Sequence, residues 1–133
     1  MQWPKLYLVK YAIGTIYYEG KYINFNINKS LHYFQLASNQ NNTEAQYAMG
    51  VIYHEGKYVK CDINKAIYYY KLAADQNFLK AQYELGYIYY KGLYVNREIN
   101  KAIHYFSLAA AQNNTEAQFM LVLIFLKGTF VPC

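Results

Sequence analysis

One block of fifteen residues recurs along the chain at a fixed interval of 36 residues, without a gap. The block begins at Val9, Ala45, Ala81 and Ala117 and reads VKYAIGTIYYEGKYI, AQYAMGVIYHEGKYV, AQYELGYIYYKGLYV and AQFMLVLIFLKGTFV. The 133 residues therefore divide into a lead-in at 1–8, full units at 9–44, 45–80 and 81–116, and a half unit at 117–133. A period of this length is typical of solenoids, in which each unit packs only against its neighbours.

Each unit is predicted to form two helices, because apolar residues recur at helical spacing and strand-like alternation is absent. Glycine and asparagine tolerate the left-handed conformation that ends a helix, and polar or acidic residues suit a helix start. Thr43 and Thr115, each followed by a glutamine three residues later, fit a capping box before the first helix. The other predicted boundaries are Gly20, Gly56, Gly92 and Gly128 for first-helix ends, Asn26, Asp62 and Glu98 for second-helix starts, and Asn41, Asn77 and Asn113 for second-helix ends.

A further set of glycines lies in the middle of the first helix, where glycine costs about 1 kcal/mol relative to alanine. Gly50 and Gly86 hold this place, and Val122 replaces them in the last helix, which no second helix follows in this sequence. Glycine lets another helix approach the backbone closely, which would offset the cost. The sequence therefore predicts a tight contact between the two helices of a unit at each mid-helix glycine.

These residues resemble the Sel1-like repeat, a relative of the tetratricopeptide repeat. The family pattern A-x-x-x-L-G-x-x-Y-x-x-G, then V-x-x-D-x-x-K-A-x-x-Y-Y-x-x-A-A, is matched by Ala81, Leu85, Gly86, Tyr89, Gly92, Val95, Lys101, Ala102, Tyr105, Ala109 and Ala110. The chain departs from the pattern where asparagine replaces the glycine that ends the second helix, and where Asn26 and Glu98 replace the aspartate. The resemblance implies an all-α fold, a right-handed α-α superhelix of antiparallel helix pairs, and an adaptor role in protein complexes.

Charge and composition restrict the environment and the partners. The formal net charge is +5, but the lysines recur in repeat phase and form no run, which disfavours nucleic acid. The longest apolar run, 119–126, is much shorter than the about 20 residues that a membrane helix needs. The first residues, MQWPKLYLVKYAIG, lack the unbroken apolar core of a signal peptide. Cys61 and Cys133 lie two periods apart, so no internal disulfide is expected and a cytoplasmic location is favoured.

Catalytic and metal-binding patterns are missing from the sequence. His32 and His104 share a repeat phase two units apart and His54 lies on another helix, so the three cannot ligate one ion. No serine or cysteine has a histidine at a spacing that suits nucleophilic catalysis, and the glycines occur singly rather than in phosphate-binding loops. The prediction is a non-enzymatic protein without metal or cofactor, whose partner is another protein.

Equivalent side chains of the first helices form rows if those helices line the concave face of the superhelix. The rows are Tyr11, Tyr47, Tyr83 and Phe119; Thr15, Val51, Tyr87 and Leu123; and Tyr18, His54, Tyr90 and Leu126. Their aromatic members could anchor an extended peptide or a partner helix. The first row could instead belong to the packing of the repeat. The third row varies most between units, so Tyr18, His54 and Tyr90 are the favoured binding residues.

The last helix, QFMLVLIFL from Gln118, is apolar almost all round, whereas the terminal unit of a solenoid needs a polar face. Phe119, Leu123 and Leu126 are therefore a candidate interface, either for a continuation of the chain or for self-association into a homo-oligomer. The alternative function is single-stranded RNA binding, because helix-pair repeats of similar length read single strands and the chain is basic and rich in tyrosine. Dispersed lysines and a single arginine, Arg97, count against it.

Overall fold

The structure is a computed structural model that describes residues 5–92 and 95–128. Within these ranges the chain forms seven helices and no strand. The helices are α1 (Leu6–Glu19), α2 (Ile27–Asn39), α3 (Thr43–Glu55), α4 (Ile63–Asp75), α5 (Leu79–Lys91), α6 (Ile99–Ala111) and α7 (Thr115–Lys127). The all-α repeat fold predicted from the sequence is confirmed.

The chain separates into two compact units, residues 1–72 and 73–133, with the boundary inside α4. In the first unit α2 packs against both α1 and α3, and in the second unit α6 packs against both α5 and α7. Tyr11 contacts Phe34 whereas Tyr18, further along α1, contacts Phe25, so α1 and α2 run antiparallel.

Eight alanines of the described residues are fully buried in the two units. A methyl side chain lets two helix backbones come close together, and larger apolar residues fill the remaining space. In the first unit the larger core residues include Phe34, Met49, Ile52 and Tyr70, and in the second they include Leu85, Phe106 and Ile124. The fully buried alanines are Ala37, Ala45, Ala66, Ala73, Ala81, Ala102, Ala109 and Ala117.

Each mid-helix glycine lies against an aromatic ring of the helix that follows it. The pairs, with the distance from a Cβ built on the glycine to the nearest ring carbon, are Gly14–Phe34 at 2.7 Å, Gly50–Tyr70 at 2.6 Å and Gly86–Phe106 at 2.7 Å. All three rings are buried, so they cannot move aside into solvent. We call this contact the glycine–aromatic lock. It confirms the predicted close approach and explains why glycine is kept inside a helix.

The starts of α3 and α7 differ from the predicted capping box. The side chain of Asn42, not of Thr43, accepts a hydrogen bond from the backbone N–H of Ala45 at 2.7 Å, and Asn114 does the same for α7. Asparagine is the better cap and stands one residue earlier, so Thr43 becomes the first helical residue, whose own N–H needs no helical partner. The capping box predicted at Thr43 and Thr115 is therefore wrong by one residue.

The other predicted helix boundaries agree with the structure. Asn26 and Asp62 each accept a backbone N–H three residues on, at 3.0 and 3.1 Å, while Glu98 makes no capping bond. Asparagine and aspartate have the short side chains that reach back to the helix, whereas glutamate is too long. The left-handed residues are Gly20, Gly56, Gly92 and Gly128 after the first helices, and Asn41, Asn77 and Asn113, all with φ of 65°, after the second.

We predict that Gly86→Ala destabilises the protein. At an unconstrained mid-helix position the same substitution stabilises a helix by about 1 kcal/mol. Here the new methyl group would overlap the buried ring of Phe106, and overpacking a core costs about 1–3 kcal/mol. Urea unfolding followed by circular dichroism would measure the loss. The control is Gly86→Ala in a Phe106→Leu background, where the cost of the alanine should shrink. An equal cost in both backgrounds would contradict the lock.

Candidate interaction surfaces

The tyrosines of the predicted first row lie against the locks. The ring centroids are 5.7 Å apart for Tyr11–Phe34, 5.7 Å for Tyr47–Tyr70 and 5.6 Å for Tyr83–Phe106. These first-row rings are half-buried, so each covers one side of a lock ring and offers only part of its own surface. Packing therefore accounts for where these three tyrosines lie, as the alternative interpretation of this row requires.

Tyr18 of the predicted third row belongs to an aromatic cluster in the first unit. Its ring centroid is 6.4 Å from that of Phe25 and 5.8 Å from that of Tyr58, and the latter two rings are 4.7 Å apart. Phe25 and Tyr58 come from the loops that follow α1 and α3, and both are exposed. The Lys57 ammonium lies 5.0 Å from the centre of the Tyr58 ring. Burial, and secondly the nearby Glu55 carboxylate, raise the pKa of the Tyr18 phenol.

His54 occupies the same repeat position but turns toward the lock. Its Nδ1 lies 3.2 Å from the hydroxyl oxygen of Tyr70, whose ring covers Gly50. Tyr70 is buried and its hydroxyl has to keep a hydrogen-bonding partner. Burial lowers the pKa of the His54 imidazole, and the Glu55 carboxylate opposes that shift. The His54 side chain thus takes part in the packing around the lock, whereas Tyr18 belongs to a cluster with exposed rings.

The remaining predicted aromatics lie in the second unit, each beside a cation. Arg97 places its guanidinium 5.4 Å from the centre of the Tyr90 ring and donates from Nε to the Tyr90 carbonyl oxygen at 2.9 Å. Tyr87 is exposed, stacks on Tyr83 at 6.3 Å between ring centroids, and has the Lys91 ammonium 5.5 Å from its ring centre. Both rings are therefore held in place by neighbours of their own unit.

The sequence interpretation missed a repeated stack of two tyrosines and a lysine. A tyrosine of the first helix lies parallel to one of the second helix, within 7–9° and about 6 Å, and a lysine ammonium sits 5.1–5.4 Å from the centre of the first ring. The two tyrosines and the lysine each recur every 36 residues, and this recurrence was the signal in the sequence that could have revealed the stacks. The three stacks are Tyr17–Tyr33 with Lys29, Tyr53–Tyr69 with Lys65, and Tyr89–Tyr105 with Lys101.

The last helix presents an apolar surface in the second unit. Phe119 is 60% exposed and Leu126 78% exposed, and Val122, at the register of the lock glycines, is exposed between them. Leu123 is half-buried, while Met120 and Ile124 point into the core. The described part of α7 therefore has one buried side and one exposed apolar side.

Metal-binding and membrane-spanning features were also sought in the described ranges. Residues 5–92 and 95–128 contain no group of three histidine, cysteine, aspartate or glutamate side chains that would suit a metal ion. No helix in those ranges combines the length and apolar character needed to cross a bilayer. Cys61 is an exposed free cysteine, and Cys133 lies outside the described residues.

Three consecutive segments match the model of the Sel1 repeat, at residues 9–42, 43–78 and 79–114. The chain belongs to the Sel1 repeat family. The second and third segments begin 36 residues apart, two residues before Ala45 and Ala81, and the first begins at Val9. Sel1 repeats generally serve as scaffolds for protein interaction, without enzymatic activity of their own. A comparison with curated proteins finds no match.

Solved structures of Sel1 repeat proteins have the same fold. One is c5321, a protective antigen present in uropathogenic Escherichia coli strains, with a TM-score of 0.86 and 28% identity over 92% of this chain and 26% of that one. Another, a Sel1 repeat protein from Oxalobacter formigenes, has a TM-score of 0.83 and 29% identity over 93% of this chain and 51% of that one. Helicobacter pylori cysteine rich protein B shares the fold at 23% identity and a TM-score of 0.68, over 87% and 97% of the two chains. The chain thus spans about a quarter of the length of the Escherichia coli protein and about half of the length of the Oxalobacter formigenes protein.

We predict that His54 makes stability depend on pH in the weakly acidic range. Its pKa is lower in the folded protein than the ordinary value of about 6.5 expected in the unfolded chain. The unfolded state therefore binds the proton more readily, so this contribution to stability is complete above about pH 6.5 and is lost as the pH falls through the folded-state pKa. Urea unfolding at several pH values should show the loss in the wild type and a flatter profile in His54→Gln. His104→Gln, at an exposed histidine, is the control and should keep the wild-type slope. The interpretation fails if both variants flatten it equally.

Proposed function

We propose that this protein is a non-enzymatic scaffold that binds a peptide or a helix of a partner protein through its first helices. The observation that carries the proposal is the cluster of Tyr18, Phe25 and Tyr58, whose outer rings are exposed although they pack on one another. Rings held by their neighbours lose little conformational entropy on binding, and aromatic side chains dominate protein interfaces. A cytoplasmic location is part of the proposal, supported by the exposed thiol of Cys61, because free thiols persist in reducing compartments.

Single-stranded RNA binding has less support in the arrangement of the rings. Binding of single strands needs a series of open aromatic faces on which successive bases stack. In each tyrosine stack, the ring from the first helix has a tyrosine on one face and a lysine ammonium over it. Because these rings already contact a tyrosine and a lysine, the high tyrosine content does not provide a series of open faces for bases.

Photo-crosslinking tests the proposed binding surface. Benzoylphenylalanine in place of Tyr18 is expected to crosslink a partner protein in cell extract, because the partner is proposed to bind at the cluster around Tyr18. The control carries the same photoreactive residue in place of His104, an exposed position on α6 away from the first helices. Tyr18→Ala, His54→Ala and Tyr90→Ala together should reduce capture of that partner, provided that circular dichroism shows them to be folded. Equal crosslinking from both positions would remove the assignment of the surface.

Self-association through α7 is a second part of the proposal, supported by the exposure of Phe119, Val122 and Leu126. Apolar side chains of this size gain about 1.5–3 kcal/mol each when they are fully buried, so their contact with a second copy would favour a dimer. Light scattering should give the mass of a dimer for the wild type and of a monomer for Leu126→Glu. Ser107→Glu adds the same charge at an exposed position on α6 and should leave the dimer intact. A monomeric wild type at about 100 µM, far above the Kd of a stable dimer, would exclude it.

A further inference from the structure

A recess opens beside the Tyr53–Tyr69 stack, along α4. Its volume is about 500 Å³, and its lining includes Tyr53, Asn64, Lys65, Tyr68 and Tyr69. A second recess of about 370 Å³ adjoins it, shares Tyr53, Asp62 and Lys65, and is also lined by Lys60. The two together offer room for several side chains of a bound segment. None of these residues belongs to the rows of the first helices predicted from the sequence.

The back wall of the recess is rigid. Tyr53 and Tyr69 stack with 6.2 Å between ring centroids and 8° between ring planes, and the Tyr69 hydroxyl donates to Oε1 of Gln35 at 2.6 Å. Gln35 in turn donates from Nε2 to Oδ1 of Asn39 on the same helix. The stack thus joins α2, α3 and α4, and burial raises the pKa of the Tyr69 phenol, so its proton stays in place. A ligand would meet a surface that needs little rearrangement.

The groups that remain for a ligand are a ring, an amide and two cations. Tyr68 has 59% of its surface exposed, and its ring packs edge-on against Tyr69 with 5.0 Å between ring centroids. Asn64 is exposed on the first turn of α4, and the Lys65 ammonium lies over the Tyr53 ring at 5.1 Å. An open ring beside an ammonium group suits an apolar side chain next to an anionic one.

The charges at the recess favour an anion. Asp62 contributes a carboxylate, but that carboxylate already accepts the backbone N–H of Lys65 at 3.1 Å as the cap of α4. Lys60 and Lys65 supply two ammonium groups along the lining of the two adjoining recesses. The two ammonium groups and the one carboxylate give the lining a net charge of about +1, which matches a single carboxylate better than a polyanion.

We propose that this recess binds an acidic segment of a partner protein, with a glutamate or aspartate carboxylate on Lys65 and the adjoining aromatic side chain on Tyr68. This inference rests on the proposed scaffold function and adds a second contact surface to it. A nucleic acid fits less well, because one open ring cannot stack successive bases and the Asp62 carboxylate would repel a continuous phosphate chain. Acidic motifs in proteins are generally read by basic side chains.

Fluorescence anisotropy with synthetic peptides tests the proposal on the full chain. The probe is a labelled nonapeptide with one glutamate next to one phenylalanine among glycine and serine residues. The matched peptides carry glutamine for that glutamate or alanine for that phenylalanine. The wild type should bind the first peptide and bind both others more weakly. Lys65→Gln should weaken binding by about tenfold, because a charge-assisted hydrogen bond is lost. Lys71→Gln removes the same charge from an exposed position on the same helix and should leave the affinity unchanged within about twofold. Tyr68→Ala should weaken the phenylalanine-containing peptide more than the alanine one.

Three outcomes would overturn the assignment. The first is no binding of the first peptide at about 1 mM, because such an affinity would be too weak to matter. The second is an equal loss of affinity in Lys65→Gln and Lys71→Gln. The third is tighter binding of a labelled ten-residue oligouridylate than of the peptide. The crosslinking experiment at Tyr18 separates this result from the scaffold function. If the partner is still captured at Tyr18 while the peptide does not bind, the proposed site at the recess is wrong and the scaffold function is retained. Loss of both would remove the scaffold as well.

Discussion

A buried aromatic ring resting on a glycine backbone holds each described helix pair together. The ring comes within 2.6–2.7 Å of where a Cβ would lie, so any other residue at the glycine would push the helices apart. Glycine in a helix is costly, and the burial of a whole ring against the facing helix offsets that cost. Because the lock sets the distance between the two helices, the tyrosine stacks between the same helices depend on it.

The lock also explains where aromatic side chains are available for binding. Tyr11, Tyr47 and Tyr83 are used to cover lock rings, and this limits what they can offer a partner. The cluster at Tyr18 includes rings from the loops after α1 and α3, and the recess beside Tyr68 lies along α4. Rings stay exposed in both places. The position of a tyrosine relative to the lock therefore separates structural tyrosines from those free to take part in recognition.

One lock differs chemically from the others. Tyr70 brings a hydroxyl group into a position that Phe34 and Phe106 fill without polar atoms, and His54 stands within hydrogen-bonding distance of it. In the two repeats whose lock ring is a phenylalanine, the positions equivalent to His54 carry Tyr18 and Tyr90. A buried hydroxyl needs a partner, so the histidine and the tyrosine form a matched pair. Variation between repeats at these positions thus has a packing cause.

The sequence by itself determined the period, the helix pairs, the left-handed residues that end the helices and the close approach at the glycines. These features depend on local conformational preference and on spacing, which a sequence displays directly. The tertiary structure alone decided that Asn42 and not Thr43 caps α3, that His54 faces Tyr70, and that Tyr53, Tyr69 and Gln35 meet from three helices. Such contacts depend on side-chain directions between helices, which a repeat period does not encode.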